Sequence, residues 1–114
     1  MLLVPSTVAG QTASGSGWPA RPVTIVNPWA PGGPVDIHMR GLVPPLEKIL
    51  GQPVLIDNKP GASGTLGPAT MAATAKPDGY TITEFPSGMF LIPYMQKVSF
   101  DPIKDFTYII HLTT

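Results

Sequence analysis

A chain of 114 residues holds one domain and not two, and its 7 basic and 7 acidic side chains leave no net charge. No basic stripe is available to meet a phosphate backbone, so no nucleic-acid partner is expected. Cysteine is absent, which rules out disulfides, thiolate chemistry and cysteine-type zinc sites. The first 17 residues, MLLVPSTVAGQTASGSG, pass from an apolar start to small polar residues with no charge. They read as the remnant of an export signal, with a small-residue exit near Val8-Ala9-Gly10, or as a disordered tail.

From Pro22 the pattern becomes that of a folded domain. Pro22 to Val26 is a β-branched run and predicts a buried strand. Val35, Met39, Leu42, Val43, Leu46, Ile49 and Leu50 follow helical spacing, with Gly51 placed to end the helix. Pro44 and Pro45 remove two interior donors and predict a kink or break near Gly41 to Val43. Pro53 to Asp57 predicts a second strand, followed by the loop NKPGASGTLGP and a short helix from Pro68 to Ala75. Tyr80 to Phe85 is a third strand after the turn at Lys76 to Gly79. Met89 to Met95 suggests a short helix, and a turn at Asp101 to Asp105 leads to a fourth strand, Phe106 to Leu112. The order β-α-β-α-β-α-β predicts an α/β fold, a mostly parallel sheet with flanking helices. Fifteen prolines, against about six in an average chain of this length, agree with short elements and tight turns.

Two loops stand out. In PWAPGGPVD, Pro34 suits the first helical position, which makes Gly33 the cap and puts Asp36 at the positive end of the helix dipole. A helix start also offers N–H groups to an anion. The alternative is a proline-shaped structural cap. In KPGASGTLG, glycines recur at Gly61, Gly64 and Gly67, again between a strand and a helix. That spacing is neither a dinucleotide fingerprint nor a P-loop, and a plain flexible connection is the alternative. In a parallel sheet both loops lie on one edge, where open α/β sheets bind ligands. Lys59 is the one cation close in sequence to either loop, and two helix starts with one cation favour a small carboxylate over a polyphosphate. FPSGMF after strand three, with Ser87, is a third candidate wall. Trp29 and Phe90 suit either a wall or the core. His38 and His111 are lone histidines, read as structural. No cofactor, metal motif or catalytic constellation is evident.

Four segments, WPARPVTIVNPWAPGGPVD, LGQPVLIDNKPGASGTLG, KPDGYTI and SFDPIKDF, resemble the substrate-binding proteins of tripartite tricarboxylate transporters, the Bug-type periplasmic receptors. The resemblance spans Trp18 to about Leu112. It implies a type II periplasmic-binding-protein (Venus flytrap) fold, of which residues 18–114 are the opening, incomplete part of lobe 1. It also implies capture of a small organic carboxylate such as a di- or tricarboxylate, an aromatic acid or an amino acid. Delivery to membrane permease subunits, a periplasmic location if the full gene carries an intact signal peptide, and no enzymatic activity follow from the same resemblance. Carried over residue by residue, the ligand site comprises Trp29, Ala30, Gly32, Gly33 and Asp36, then Gly61, Ala62, Ser63 and Gly64, with Ser87 added. Two positions depart from the family pattern: Pro34 replaces a small hydroxyl residue, and Ser63 replaces a frequent glycine. The rival readings are a small nucleotide- or phosphate-binding α/β enzyme and a fragment without function.

Overall fold

The computed structural model describes residues 17–112. The remnant or tail predicted for residues 1–17 therefore lies almost wholly outside them. Three parallel strands form one sheet in the order β2-β1-β3: β1 is Val23–Asn27, β2 Val54–Asn58 and β3 Thr81–Thr83. Val23 pairs with Val54 and Asn27 with Asn58 on one side, and Ile25 with Ile82 on the other. β1 is thus the central strand. Its near-continuous apolar sequence follows from burial on both faces.

Helix α1, Pro34–Leu50, covers one face. Ile25, Met39 and Val54 are buried together, with Val35, Val43, Leu46, Leu50, Ile56 and Ile82 packed around them. The helical members recur every three or four residues, so one stripe of α1 lies on the sheet. Helix α2, Leu66–Thr74, covers the other face. A Cβ added at Gly67 would stand 2.9 Å from Val26 Cγ1, so α2 sits as close to β1 as a glycine permits.

The predicted break in α1 is not observed: the helix runs unbroken through Pro44 and Pro45. Both prolines lie on the exposed side, as do Arg40 and Gly41, whose carbonyls the prolines leave without helical donors. The packed stripe on the opposite side holds the axis. Strand three is shorter than predicted, three residues in place of six. The predicted short helix at Met89 to Met95 resolves into a 3₁₀ turn, Ser87–Phe90, and a single-turn helix α3, Ile92–Met95, which starts around Pro93.

The fourth strand is absent among the described residues. Phe106 and Tyr108 instead fold back on Phe85, with ring centroids 5.0 and 5.6 Å from it, and Phe90 and Phe100 join the same cluster. Stacking these rings draws the segment away from the sheet edge. Asp101 builds the predicted turn by accepting the N–H groups of Ile103 and Lys104 at 2.8 and 3.1 Å. Beyond Tyr108, Ile109, Ile110 and Leu112 are exposed.

Replacing both prolines (Pro44→Ala with Pro45→Ala) restores two helical donors at unstrained positions. We expect a gain of about 2 kcal/mol or more in urea unfolding, since an interior proline costs roughly 3 kcal/mol relative to alanine and returns under 1 kcal/mol through the unfolded chain. An unchanged or lowered midpoint would contradict this account of α1.

Candidate functional site

The parallel register brings the ends of β1 and β2 side by side, and a polar cluster is built on them. Its centre is Asp36, in the first turn of α1 and only 2% exposed. Arg40, one turn on, donates through Nε to Asp36 Oδ2 at 2.8 Å. The Gly32 N–H donates to the same oxygen at 2.9 Å. Asn58, the last residue of β2, donates through Nδ2 to Asp36 Oδ1 at 2.8 Å and to the Trp29 carbonyl at 3.0 Å. Its own Oδ1 accepts from Arg40 Nη2 at 3.0 Å. Asn27, the last residue of β1 and fully buried, accepts the Trp29 N–H at 3.1 Å and donates more weakly to Asp36 at 3.4 Å. The loop after β1 is therefore tied both to its own helix and to the neighbouring strand.

The Arg40 hydrogen bond is the largest of several influences that hold the Asp36 carboxyl far below its ordinary value of 3.8. The Gly32 and Asn58 bonds act in the same direction, and burial opposes them. Every oxygen of Asp36 is occupied within the chain. Its part at this edge is to shape the loop.

The second loop closes a left-handed turn. Gly61, Ala62, Ser63 and Gly64 have φ of +134°, +50°, +57° and +85° in succession. Ala62 and Ser63 hold a backbone that L-residues adopt at a cost of roughly 1–2 kcal/mol each, the kind of stored strain that clusters at binding sites. Gly64 is buried, and a Cβ there would lie 3.0 Å from both the Trp29 ring and Met89 Cε. That contact joins all three predicted segments: the loop after β1, the loop after β2 and the stretch after β3.

Of the predicted residues, Trp29, Ala30, Gly32, Gly61, Ala62 and Ser63 are exposed along this edge, Gly33 is half-buried, and Asp36 and Gly64 are buried. Ser87 is exposed at the start of the 3₁₀ turn that carries Met89. Lys59 is engaged by Asp57 at 3.3 Å. A cleft of about 350 Å³ lies between α2 and residues 97–100 and shares only Ala62 with the predicted set. His38 and His111 are exposed. Among the described residues, no three His, Asp or Glu side chains are grouped to hold a metal ion, and no helix is long and apolar enough to cross a membrane.

Sequence reasoning missed Asn27, Arg40 and Asn58. Arg40 carried a signal, its spacing of four from Asp36. The two asparagines carried another, since each ends a parallel strand.

The profile of the tripartite tricarboxylate transporter family receptor matches residues 39–114. This chain belongs to that family. It is 45% identical over 95 residues to the UPF0065 protein in the gbd 5′ region of Cupriavidus necator, covering 83% of this chain and 29% of that relative. The chain thus spans under a third of the length of this relative. Among solved structures, it is similar to MatC from Rhodopseudomonas palustris with bound malate. That match has 40% identity and a TM-score of 0.71, over 79% of this chain and 31% of the other. The periplasmic binding protein BugD is also similar, with 45% identity and a TM-score of 0.54 over 58% and 22% of the two chains. The parallel sheet and its flanking helices are thus a piece of the fold that these periplasmic binding proteins share.

Asp36 gives the acid limb of stability a definite sign. Its carboxyl is depressed in the folded state, so its contribution is present above pH 3.8 and lost as pH falls below that value. Asp36→Asn should flatten the fall of the melting temperature below about pH 4, and an unchanged acid limb would contradict the network. Asn58→Ala, which leaves Asp36 Oδ1 only its weaker bond from Asn27 and takes the donor from the Trp29 carbonyl, should cost about 1–3 kcal/mol in urea unfolding.

Proposed function

We propose that this chain contributes the first wall of a receptor that captures a small organic carboxylate outside the cytoplasmic membrane and presents it to membrane permease subunits of a tripartite transporter. One observation carries the proposal: Trp29, Gly64 and Met89 meet at one point. Two strand-to-helix loops and the stretch after β3 are thereby drawn around a single edge of a parallel sheet, where such sheets bind ligands.

The chemistry suits an anion held by dipoles more than by ion pairs. Lys59 and Arg40 are each spent on a carboxylate of the chain itself. The remaining attraction comes from the start of α1, where Val35 and Asp36 present N–H groups that lack helical acceptors, and from the strained turn at Ala62 and Ser63. Gly32 gives its N–H to Asp36 and Gly33 gives its own to the Ala30 carbonyl, so these two glycines shape the loop. Trp29, 37% exposed, supplies an apolar side to the same space. The role is capture and delivery, not catalysis. Malate, the ligand bound by MatC, is the natural first probe.

A carboxylate at 100 times its Kd should stabilise the protein by about 2.7 kcal/mol. Thermal shifts against malate and a panel of di- and tricarboxylates measure this, and no shift with any of them would overturn the ligand class. Stabilisation by ATP or NAD in their place would favour a nucleotide-binding protein. Gly64→Ala forces a Cβ onto Trp29 and Met89 at a left-handed position and should weaken malate binding at least about tenfold, or ~1.4 kcal/mol.

A further inference from the structure

Strands β1 and β2 each end on an asparagine, and the parallel register sets Asn27 opposite Asn58. The two side chains reach one residue of the first loop from different sides. Asn27 Oδ1 accepts the Trp29 N–H at 3.1 Å, and Asn58 Nδ2 donates to the Trp29 carbonyl at 3.0 Å. Both polar groups of the Trp29 main chain are thus held by side chains from two neighbouring strands. Asp36 decides how these carboxamides are turned. A carboxylate only accepts, so its Oδ1 draws the Nδ2 end of each amide, at 2.8 Å for Asn58 and 3.4 Å for Asn27. The Asn27 oxygen is thereby left for the Trp29 N–H. Asn58 uses its whole amide: Nδ2 serves two acceptors, and Oδ1 accepts from Arg40 Nη2 at 3.0 Å. An aspartate at either position would lack these donors and set a second negative charge beside Asp36.

We propose that Asn27 and Asn58 are positioning residues for ligand capture: as a pair they clamp the main chain of Trp29 and so set where its indole stands in the carboxylate site. Trp29 belongs to neither a helix nor a strand, so no backbone ladder holds it. The far end of its indole meets the second loop, where a Cβ added at Gly64 would lie 3.0 Å from Cη2 and 3.3 Å from Cζ2. The ring is a lever rooted in the clamped main chain, and a small rotation at the root is enlarged at the tip. Removing one asparagine frees one side of that root and lets the indole swing away from Gly64. The result is weaker capture, because a wall already in place binds without first being ordered. The consequence for ligand affinity rests on Trp29 belonging to the carboxylate site; the clamp itself does not.

With Trp18→Phe, Trp29 is the only indole, and its emission and acrylamide quenching report the ring. Asn27→Ala and Asn58→Ala should each shift that emission to the red and raise the quenching while the helical circular dichroism is kept. Val54→Ala is the control: it opens the core at the other end of β2, away from the clamp, and should leave the emission unmoved. Unchanged emission in either asparagine variant, or an equal change in Val54→Ala, overturns the proposal. Should an asparagine variant fail to fold, the parent decides. Its Trp29 amide hydrogen, bonded to Asn27, should exchange about tenfold or more slowly than in an unfolded chain, and free exchange overturns the clamp. Malate affinity is measured alongside. Asn58→Ala should weaken it about threefold or more, and in a Trp29→Ala background the same substitution should have no further effect. An unchanged affinity, or a loss that persists in full without the indole, overturns the link to the site. If malate does not bind at all, the ligand class is at fault, and the emission and exchange arms still decide whether the asparagines hold Trp29.

Discussion

The site edge depends on one buried carboxylate. Asp36 is almost wholly shielded from water, so its charge depends on the donors that Arg40, Gly32, Asn58 and, weakly, Asn27 supply. Each donor comes from a different piece of the fold: the helix, the loop before it, and the ends of two adjacent strands. Satisfying one charge therefore fixes four backbone positions at once. A buried network of this kind is worth more as a constraint on geometry than as a source of net stability, because much of its electrostatic gain is cancelled by desolvation.

The second loop reaches its shape by other means. It has no charge at its turn, and instead bends through four successive left-handed residues, two of which are not glycine. Contact of Gly64 with Trp29 and Met89 holds that bend in place. One wall of the edge is thus pinned by hydrogen bonds and the other by packing. Trp29 belongs to both, since its backbone lies in the Asp36 network and its ring lies on the second loop.

Much of this was legible in the sequence. The β-branched run before Asn27, the helical stripe from Val35 to Leu50 and the glycine at Gly51 mark their elements by local chemistry alone, and the parallel arrangement follows from their alternation. The two loops were legible because glycine and proline declare unusual backbone. The polar cross-links were not, because Asn27 and Asn58 become partners of Asp36 only through the register of β1 and β2, which no local pattern encodes. The C-terminal segment shows the converse error. Phe106 to Leu112 has the composition of a strand, but a strand also requires a neighbour, and the short β3 edge competes poorly with the ring cluster around Phe85. Likewise the prolines of α1 have a strong intrinsic tendency to break a helix, and tertiary packing on the far side overrides it.

Those prolines have a mechanical consequence. Pro44 cannot donate to the Arg40 carbonyl, nor Pro45 to that of Gly41, so α1 lacks two adjacent rungs at its middle. The rungs are missing at the very residue whose side chain grips Asp36. A rod weakened at one level bends there more cheaply than elsewhere. Val35 and Met39 before that level and Leu46 and Leu50 after it all pack on the same sheet, so packing, not the hydrogen-bond ladder, carries α1 across the gap. Where the ladder is thinnest, the sheet beneath serves as the splint that keeps α1 a single element.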